Sequence, residues 1–452
     1  MVTRGITQIV CLTFVLSLKL SPVYQQSLAQ AGANVGSLGG MVGGFLGSVL
    51  SGTHGRRINA VSYSLPTPPV LYGPTTPNQE LVNAEKVHMG LINGPASFAF
   101  HQGELFAGTR DNKVYNLARC KPKLVADLSF PGCEQTSSCG QLTSLRRDPS
   151  TGDLIALDTD KGLFRIKNDT GTFEQIYSVD VPVNGRPPVH LNDLVVTKDG
   201  IIIMSDSSDA HEFGADVYIG MEGRTSGRLI SFVPSTGVIR ELLPNVMAFP
   251  NGLELTPEGN LLVAETGRVR ILRVSLQRAT WLQVSVFAQN LPGLPDNIRA
   301  SDRGTYWVGM SYVRHSRSQN PMDRYAGDAY YRQMGAATMS YQSLQNMFSK
   351  YGMAVELNAA GAIIKSLQDP SGQTISMVTE VNEFGGVMNI GSPDTNYLAR
   401  IVNPQRGLKA DSFIAVARSR CQLDDSKVAE ARKTLEAQMS KTAVTVTPAK
   451  KV

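Results

Sequence analysis

One unit recurs along the middle of this chain, and it limits the possible folds more than any other feature. The unit is an apolar strand, a tight glycine-containing turn and a second apolar strand. Phe98 and Phe100 precede Gln102-Gly103 and then Leu105-Phe106. Leu145 precedes Ser150-Thr151-Gly152 and Leu154-Ile155, and Leu194-Val195-Val196 precedes Asp199-Gly200 and Ile201-Ile202-Ile203. The same order returns at Leu253, Leu255 and Glu258-Gly259, at Ile298 and Arg303-Gly304, and at Val381 and Gly385-Gly386. Six units, mostly about 45 to 60 residues apart, fall within the spacing of propeller blades. Short hairpin strands with almost no long amphipathic helix indicate an all-β architecture. Radial repetition leaves only short, protected sheet edges. The expectation is therefore a six-bladed β-propeller over residues 81–405. A pair of β-sandwiches would share the strand composition but not the regular recurrence.

Composition narrows the class further. The chain has 452 residues, 42% hydrophobic and 18% charged, with 42 Gly and 24 Pro, which argues against coiled coils and wholesale disorder. A formal net charge of +5, with no dense basic tract outside the last few residues, argues against a nucleic acid partner. After Asn403 the strand pattern stops. Residues 406–452 read as a tail with one helix from Ser426 to Lys441 and a disordered end.

The N-terminus reads as an export signal. Arg4 supplies positive charge, and Ile6 to Leu18 is apolar but shorter than the roughly 20 residues of a spanning helix. Ala29 and Ala31 suit cleavage before Gly32, so residues 1–31 are a signal peptide or, uncleaved, a type II anchor. Residues 32–80, rich in Gly and Pro, read as a flexible linker, with membrane association through the N-terminus as the other reading. Export places the propeller in the secretory pathway, lumenal or extracellular. Four cysteines then remain, Cys120, Cys133, Cys139 and Cys421, with Cys133–Cys139 the most local of three possible pairings. Asn168-Asp169-Thr170 is a glycosylation sequon.

Three units carry Asn or Asp where the inner strand begins: Leu191-Asn192-Asp193, Pro250-Asn251-Gly252 and Pro295-Asp296-Asn297. In a propeller these positions converge on one mouth of the axial tunnel. A ring of amide and carboxylate oxygens suits Ca²⁺, which takes about six to eight oxygens. Two long insertions open at the same mouth. One runs from Ser207 to Ser226 with His211, Glu212, Asp216 and Tyr218, and the other from Ser311 to Tyr351 with Tyr325, Tyr330, Tyr331 and Met339. Both are expected to stand over the ion as lid and wall for an apolar substrate. His190, beside Asn192, is a candidate general base, and Asp193 a second candidate catalytic group. Asp206 and Glu265, ending second strands, read as structural hydrogen-bonding groups.

From about Leu81 to Asn403 the sequence resembles the strictosidine synthase-like propellers, above all the group of the adipocyte plasma membrane-associated protein and hemomucin, relatives of the paraoxonases. The resemblance rests on Lys161-Gly162-Leu163-Phe164, Asn192-Asp193-Leu194, Ser205-Asp206-Ser207-Ser208, Phe249-Pro250-Asn251-Gly252, Val263-Ala264-Glu265-Thr266, Pro295-Asp296-Asn297-Ile298 and Trp307-Val308-Gly309-Met310. It implies a Ca²⁺-dependent arylesterase- or lactonase-type hydrolase, the ion polarising an ester or lactone carbonyl. It implies Asn192, Asn251, Asp296 and Asn297 as ligands. The implied partner is a small apolar ester or lactone; for a non-catalytic binding propeller it would be an extracellular protein. One departure stands out. Ala96 follows Gly94-Pro95 where relatives carry a ligating Glu, and Asn93 is then the substitute oxygen donor. Thr143 and Thr159 fall where the paraoxonases have a His dyad. Thr379 falls near the catalytic Glu of true strictosidine synthases, so alkaloid condensation is not expected.

Overall fold

The computed structural model describes residues 55–129, 140–167, 169–316 and 320–444. Among these, twenty-four strands form six four-stranded antiparallel sheets. The sheets follow one another along the chain as six blades of a propeller, and each recurring unit of the sequence supplies the two innermost strands of one blade. The inner strands are Pro95–His101, Leu142–Arg147, Leu191–Val196, Pro250–Leu255, Gly293–Ala300 and Glu380–Phe384. In blade 1 the inner hairpin turns on Gln102 and Gly103, both at positive φ (48° and 79°). That is the backbone a two-residue hairpin needs to match strand twist. Apolar side chains of adjacent blades pack against each other, as where Leu157 and Leu163 of blade 2 meet Leu194 and Met204 of blade 3.

The ring closes through its ends. Glu85–Val87, the first strand of the chain, pairs with Leu398–Val402 and becomes the outer strand of blade 6. Arg400 reaches Glu85 across that seam at 3.0 Å. A Cys120–Cys421 disulfide adds a covalent tie over 301 residues. The expected Cys133–Cys139 pair and the sequon residue Asn168 lie outside the described residues.

Two segments differ from the sequence expectation. Within the expected linker, residues 55–80 are an extended strap laid on the protein. Val61 donates to the Glu222 carbonyl at 2.8 Å, Arg314 to that of Pro66 at 2.6 Å, and Asn78 to that of Ser366 at 3.1 Å. Tyr63, Leu65 and Leu71 are partly buried against the cap and blade 5, and their burial outweighs the flexibility that a Gly- and Pro-rich composition suggests.

The insertions fold into a helical cap. The first forms α1 (Asp216–Glu222), closed by Gly223 in the left-handed region (φ 63°). The second forms α2 (Pro321–Tyr325), α3 (Ala329–Thr338) and α4 (Tyr341–Gln345). Each of these three has a side-chain N-cap, from Asn320, Asp328 and Ser340. Val217, Tyr218, Ala336, Met339 and Leu344 bind the two insertions into one apolar cluster. At the opposite end of the tunnel lies α5 (Ala410–Ser419), which the sequence pattern missed. Its Ser412 donates to the Phe384 carbonyl at 2.8 Å, and Arg418 pairs with Glu104 at 2.7 Å. The last helix, α6, spans Val428–Val444, slightly beyond the expected Ser426–Lys441.

Candidate functional site

The inner strands do not run straight into the tunnel mouth. In blades 3, 4 and 5 the register with the second strand shifts between Leu191 and Leu194, Pro250 and Leu253, and Pro295 and Ile298. Blades 1 and 2 shift in the same place, at Ala96 and Thr143. A bulge frees residues from the ladder and re-aims their side chains. Here it turns Asn192, Asn251, Asp296 and Asn297 into one cavity of about 150 Å³. Gly252 permits the convergence, because a Cβ there would lie 2.5 Å from the Asn297 Cα and the Asp296 carbonyl. Carboxylates at the ends of second strands fix the approach to the mouth. Asp206 accepts from the His190 backbone at 2.9 Å and pairs with Arg228, and Glu265 accepts from Ala248 at 2.8 Å. Phe249 holds a left-handed backbone (φ 57°) immediately before Pro250, and its ring lines the cavity.

The cavity has a polar floor and apolar walls. The Oδ1 atoms of Asn251 and Asn297 are buried and meet no protein donor. Buried oxygens without partners are rare in folded proteins. Asp296 faces the enclosed cavity. Burial, then the charges of Asp216 and Asp193, push its carboxyl up to about 8, against an Asn251 side-chain hydrogen bond. The one cation among the described residues whose charge opposes this rise, Arg299, is committed to Asp193 and Glu380 below the floor. The donor set therefore fits a cation such as Ca²⁺, with Asn192, Asn251, Asp296 and Asn297 as the residues that would hold it. Ala96 lines the same cavity, so the position where the resemblance implies a ligating Glu offers no side-chain oxygen there. Among the described residues no group of three or more His, Cys, Asp or Glu that could hold a metal ion converges.

The remaining expected site residues are placed differently. Asn93 is exposed, outside the lining of the cavity, so it is no substitute for the lost carboxylate. Asp193 lies below the floor and is fully engaged. Ser144 donates to it at 2.6 Å, Leu253 N at 2.7 Å, and Arg299 through both terminal nitrogens at 2.7 and 3.1 Å. Burial alone would raise its carboxyl, but Arg299 and Arg146 outweigh burial and hold it below the ordinary range. A carboxylate so occupied has no lone pair to offer a substrate, which corrects the catalytic reading. His190 is buried behind Phe213 and Phe249, its ring centroid 5.4 and 5.9 Å from theirs. Its Nδ1 lies 3.2 Å from the His211 carbonyl and its Nε2 3.4 Å from Asp216 Oδ1. A general base must reach the reacting proton. His190 does not line the cavity; it packs behind the wall and faces Asp216.

Two features go beyond the sequence reading, which names Asp216 only as part of the insertion over the mouth and does not mention Arg299. Asp216, at the start of α1, faces the cavity and brings a second carboxylate toward Asp296. Beneath the floor, Arg299 joins Asp193 of blade 3 to Glu380 of blade 6, the latter at 2.6 Å. Burial raises the Glu380 carboxyl while Arg299 and Arg146 oppose it. The sequence marks Arg299 only as a charged residue inside an apolar inner strand, which requires a partner but does not say which.

Over the floor, Phe213, Val217, Leu294, Met322, Tyr341 and Phe348 form the walls. A wider, more polar vestibule of about 820 Å³, with Arg110, Lys350 and Asp394 at its rim, shares Phe213, Asp216 and Phe348 with the cavity and leads outward.

The sequence model of the family described as strictosidine synthase matches residues 192–278, which includes Asn192 and Asn251. The adipocyte plasma membrane-associated protein of Rattus norvegicus is 31% identical over 349 residues, covering 76% of this chain and 92% of that protein. The Homo sapiens protein of the same name is 32% identical over 343 residues, covering 75% and 82%. The Drosophila melanogaster relative named Hemomucin is 28% identical, covering 76% of this chain and 64% of that protein.

Proposed function

Since the chain belongs to the adipocyte plasma membrane-associated protein family of strictosidine synthase-like propellers, we propose that its capped cavity is a Ca²⁺-dependent hydrolytic site for small apolar esters or lactones. The observation that carries this reading is the pair of unpartnered amide oxygens, Asn251 Oδ1 and Asn297 Oδ1, beside Asp296 at the base of an apolar chamber. A cation held there supplies the positive charge that polarises a substrate carbonyl and stabilises the developing oxyanion. The chain's own residues do the rest. Phe213, Phe249, Leu294 and Phe348 bind the organic part and exclude bulk water, so charge interactions at the floor are stronger than in solvent. Asn192, Asn251 and Asn297 offer neutral oxygens whose positions are fixed by the strand bulges. Arg299, pinned between Asp193 and Glu380, keeps three blades in register below them.

A second reading rests on Ala96. With the family carboxylate absent from the cavity, the polar floor serves stability and the cap a binding partner, such as an extracellular protein. Melting with Ca²⁺ or EGTA, together with phenyl acetate turnover, separates the two. Turnover lost on chelation and in Asn251→Ala supports the hydrolase. A melting point raised by Ca²⁺ without turnover supports the binding protein, and a melting point unresponsive to Ca²⁺ overturns the Ca²⁺-dependent hydrolase.

The compartment reading is the secretory pathway, secreted or membrane-anchored with the propeller outside the cytosol. The Cys120–Cys421 disulfide supports an oxidising environment. The relatives named above are plasma membrane-associated by name. Among the described residues no helix is long and apolar enough to cross a membrane, and the N-terminal segment lies outside them.

A further inference from the structure

The central cavity does not end at the cap. Val217, Met322 and Phe348 line it on one side and, on the other, line a satellite pocket of about 40 Å³ between α1, α2 and α3. The satellite is almost wholly apolar, and four methionines form much of its wall: Met221, Met322, Met339 and Met347. Its one charged lining group, Arg332, is occupied elsewhere. Arg332 donates to the carbonyls of Val61, Tyr325 and Ala326 at 2.6, 2.9 and 2.9 Å, and also to that of Met221. The partition is a flexible one. Met322 sits at the start of α2, with Gly220 of α1 opposite its sulfur; a Cβ on Gly220 would meet Sδ at 3.0 Å. Unbranched thioether side chains rearrange around apolar ligands more readily than branched ones.

We infer that the site takes ligands with a compact, ring-sized apolar body and a short unbranched alkyl tail, the body in the central cavity and the tail crossing Met322 into the satellite. A cavity of about 150 Å³ holds a benzene-sized group. The satellite has room for little more than a water-sized volume, roughly 30 Å³, and so for one or two carbons. Its walls reward methylenes and offer nothing to a polar terminus. The polar end of the ligand is left to the floor and the vestibule. This specificity deepens the proposed function, but it concerns binding and stands whether or not the protein turns substrate over.

The test uses alkyl phenyl ketones, which cannot be hydrolysed, so its failure is distinct from failure of the hydrolase reading. Affinities of acetophenone, propiophenone, butyrophenone and valerophenone for the full chain are measured by calorimetric competition. The wild type should gain about fourfold per added methylene over the first one or two, the value of one buried CH₂ each, and level off by valerophenone. Gly335→Leu should abolish that gain while leaving acetophenone unchanged. Gly335 lines the satellite alone, and a Cβ there meets only the Met221 methyl at 3.4 Å. Met322→Ala, which opens the partition, should extend the gain to a longer tail and serves if the leucine variant does not fold. Affinity independent of tail length in the wild type, a Gly335→Leu slope equal to the wild type's, or a Met322→Ala series that levels off where the wild type does, overturns the inference.

Discussion

Replacing Arg299 by methionine removes the cation that holds the hub of the ring. In the native protein its guanidinium bonds both oxygens of Asp193, at 2.7 and 3.1 Å, and lies 2.6 Å from Glu380 Oε2. Arg146 remains, but at 3.5 Å from Asp193. All three members of the Arg299 triad have side chains at most 2% exposed, so water cannot take over the lost contacts. Breaking a buried pair by removing one partner costs about 3–5 kcal/mol. With an unfolding entropy of about 2.1 cal/mol/K per residue over a unit of roughly 350 residues, that is a fall in Tm of about 4–7 °C. The sign of the pH dependence follows from the carboxylates. Arg299 holds the Asp193 carboxyl low, so its contribution is present above the ordinary carboxylate pKa and lost as pH falls. In the variant, Asp193 and Glu380 are left buried without that cation and take up protons as pH falls. The deficit should therefore be largest near pH 8 and shrink by pH 5. Scanning calorimetry of both proteins at the two pH values measures it. A Tm shift below about 1 °C, or a deficit that grows toward acid, refutes the argument.

Three further outcomes follow from the same structure. The Asp296 carboxyl, raised to about 8, contributes stability present below its unfolded pKa and lost as pH rises toward 8. In EGTA, wild-type stability relative to Asp296→Asn should thus fall by up to about 1.4 kcal/mol per pH unit between pH 5 and 8, and excess Ca²⁺ should flatten the difference. Gly252→Ala places a methyl 2.5 Å from backbone atoms of the neighbouring inner strand, and overpacking of this kind costs about 1–3 kcal/mol in denaturant titrations. Cys120→Ser opens a 301-residue loop and should cost about 2–5 kcal/mol, an effect that reductant reproduces on the wild type.

The blades were legible because each inner hairpin needs apolar strands around a tight turn, a pattern that local sequence carries. The mouth positions of Asn192, Asn251 and Asp296 had a local signal too, since all three lie in the first half of an inner strand. Three features were not. Arg299 reads as an isolated charge until Asp193 and Glu380, 106 and 81 positions away, are known to surround it. The strap at 55–80 has a linker's composition, and only the grooves it fills distinguish it from one. His190 stands two residues from Asn192 along the chain, yet it precedes the strand and packs behind the wall, while the bulge at Asn192-Asp193 turns Asn192 into the cavity.

The account turns on the floor of the cavity holding a divalent ion. Isothermal titration of Ca²⁺ into the chelator-stripped protein, with Asn251→Ala alongside, measures that directly. One Ca²⁺ per chain in the wild type, at least tenfold weaker in the variant (about 1.4 kcal/mol), is the predicted result. No binding in the wild type, or binding that the variant leaves unchanged, contradicts it.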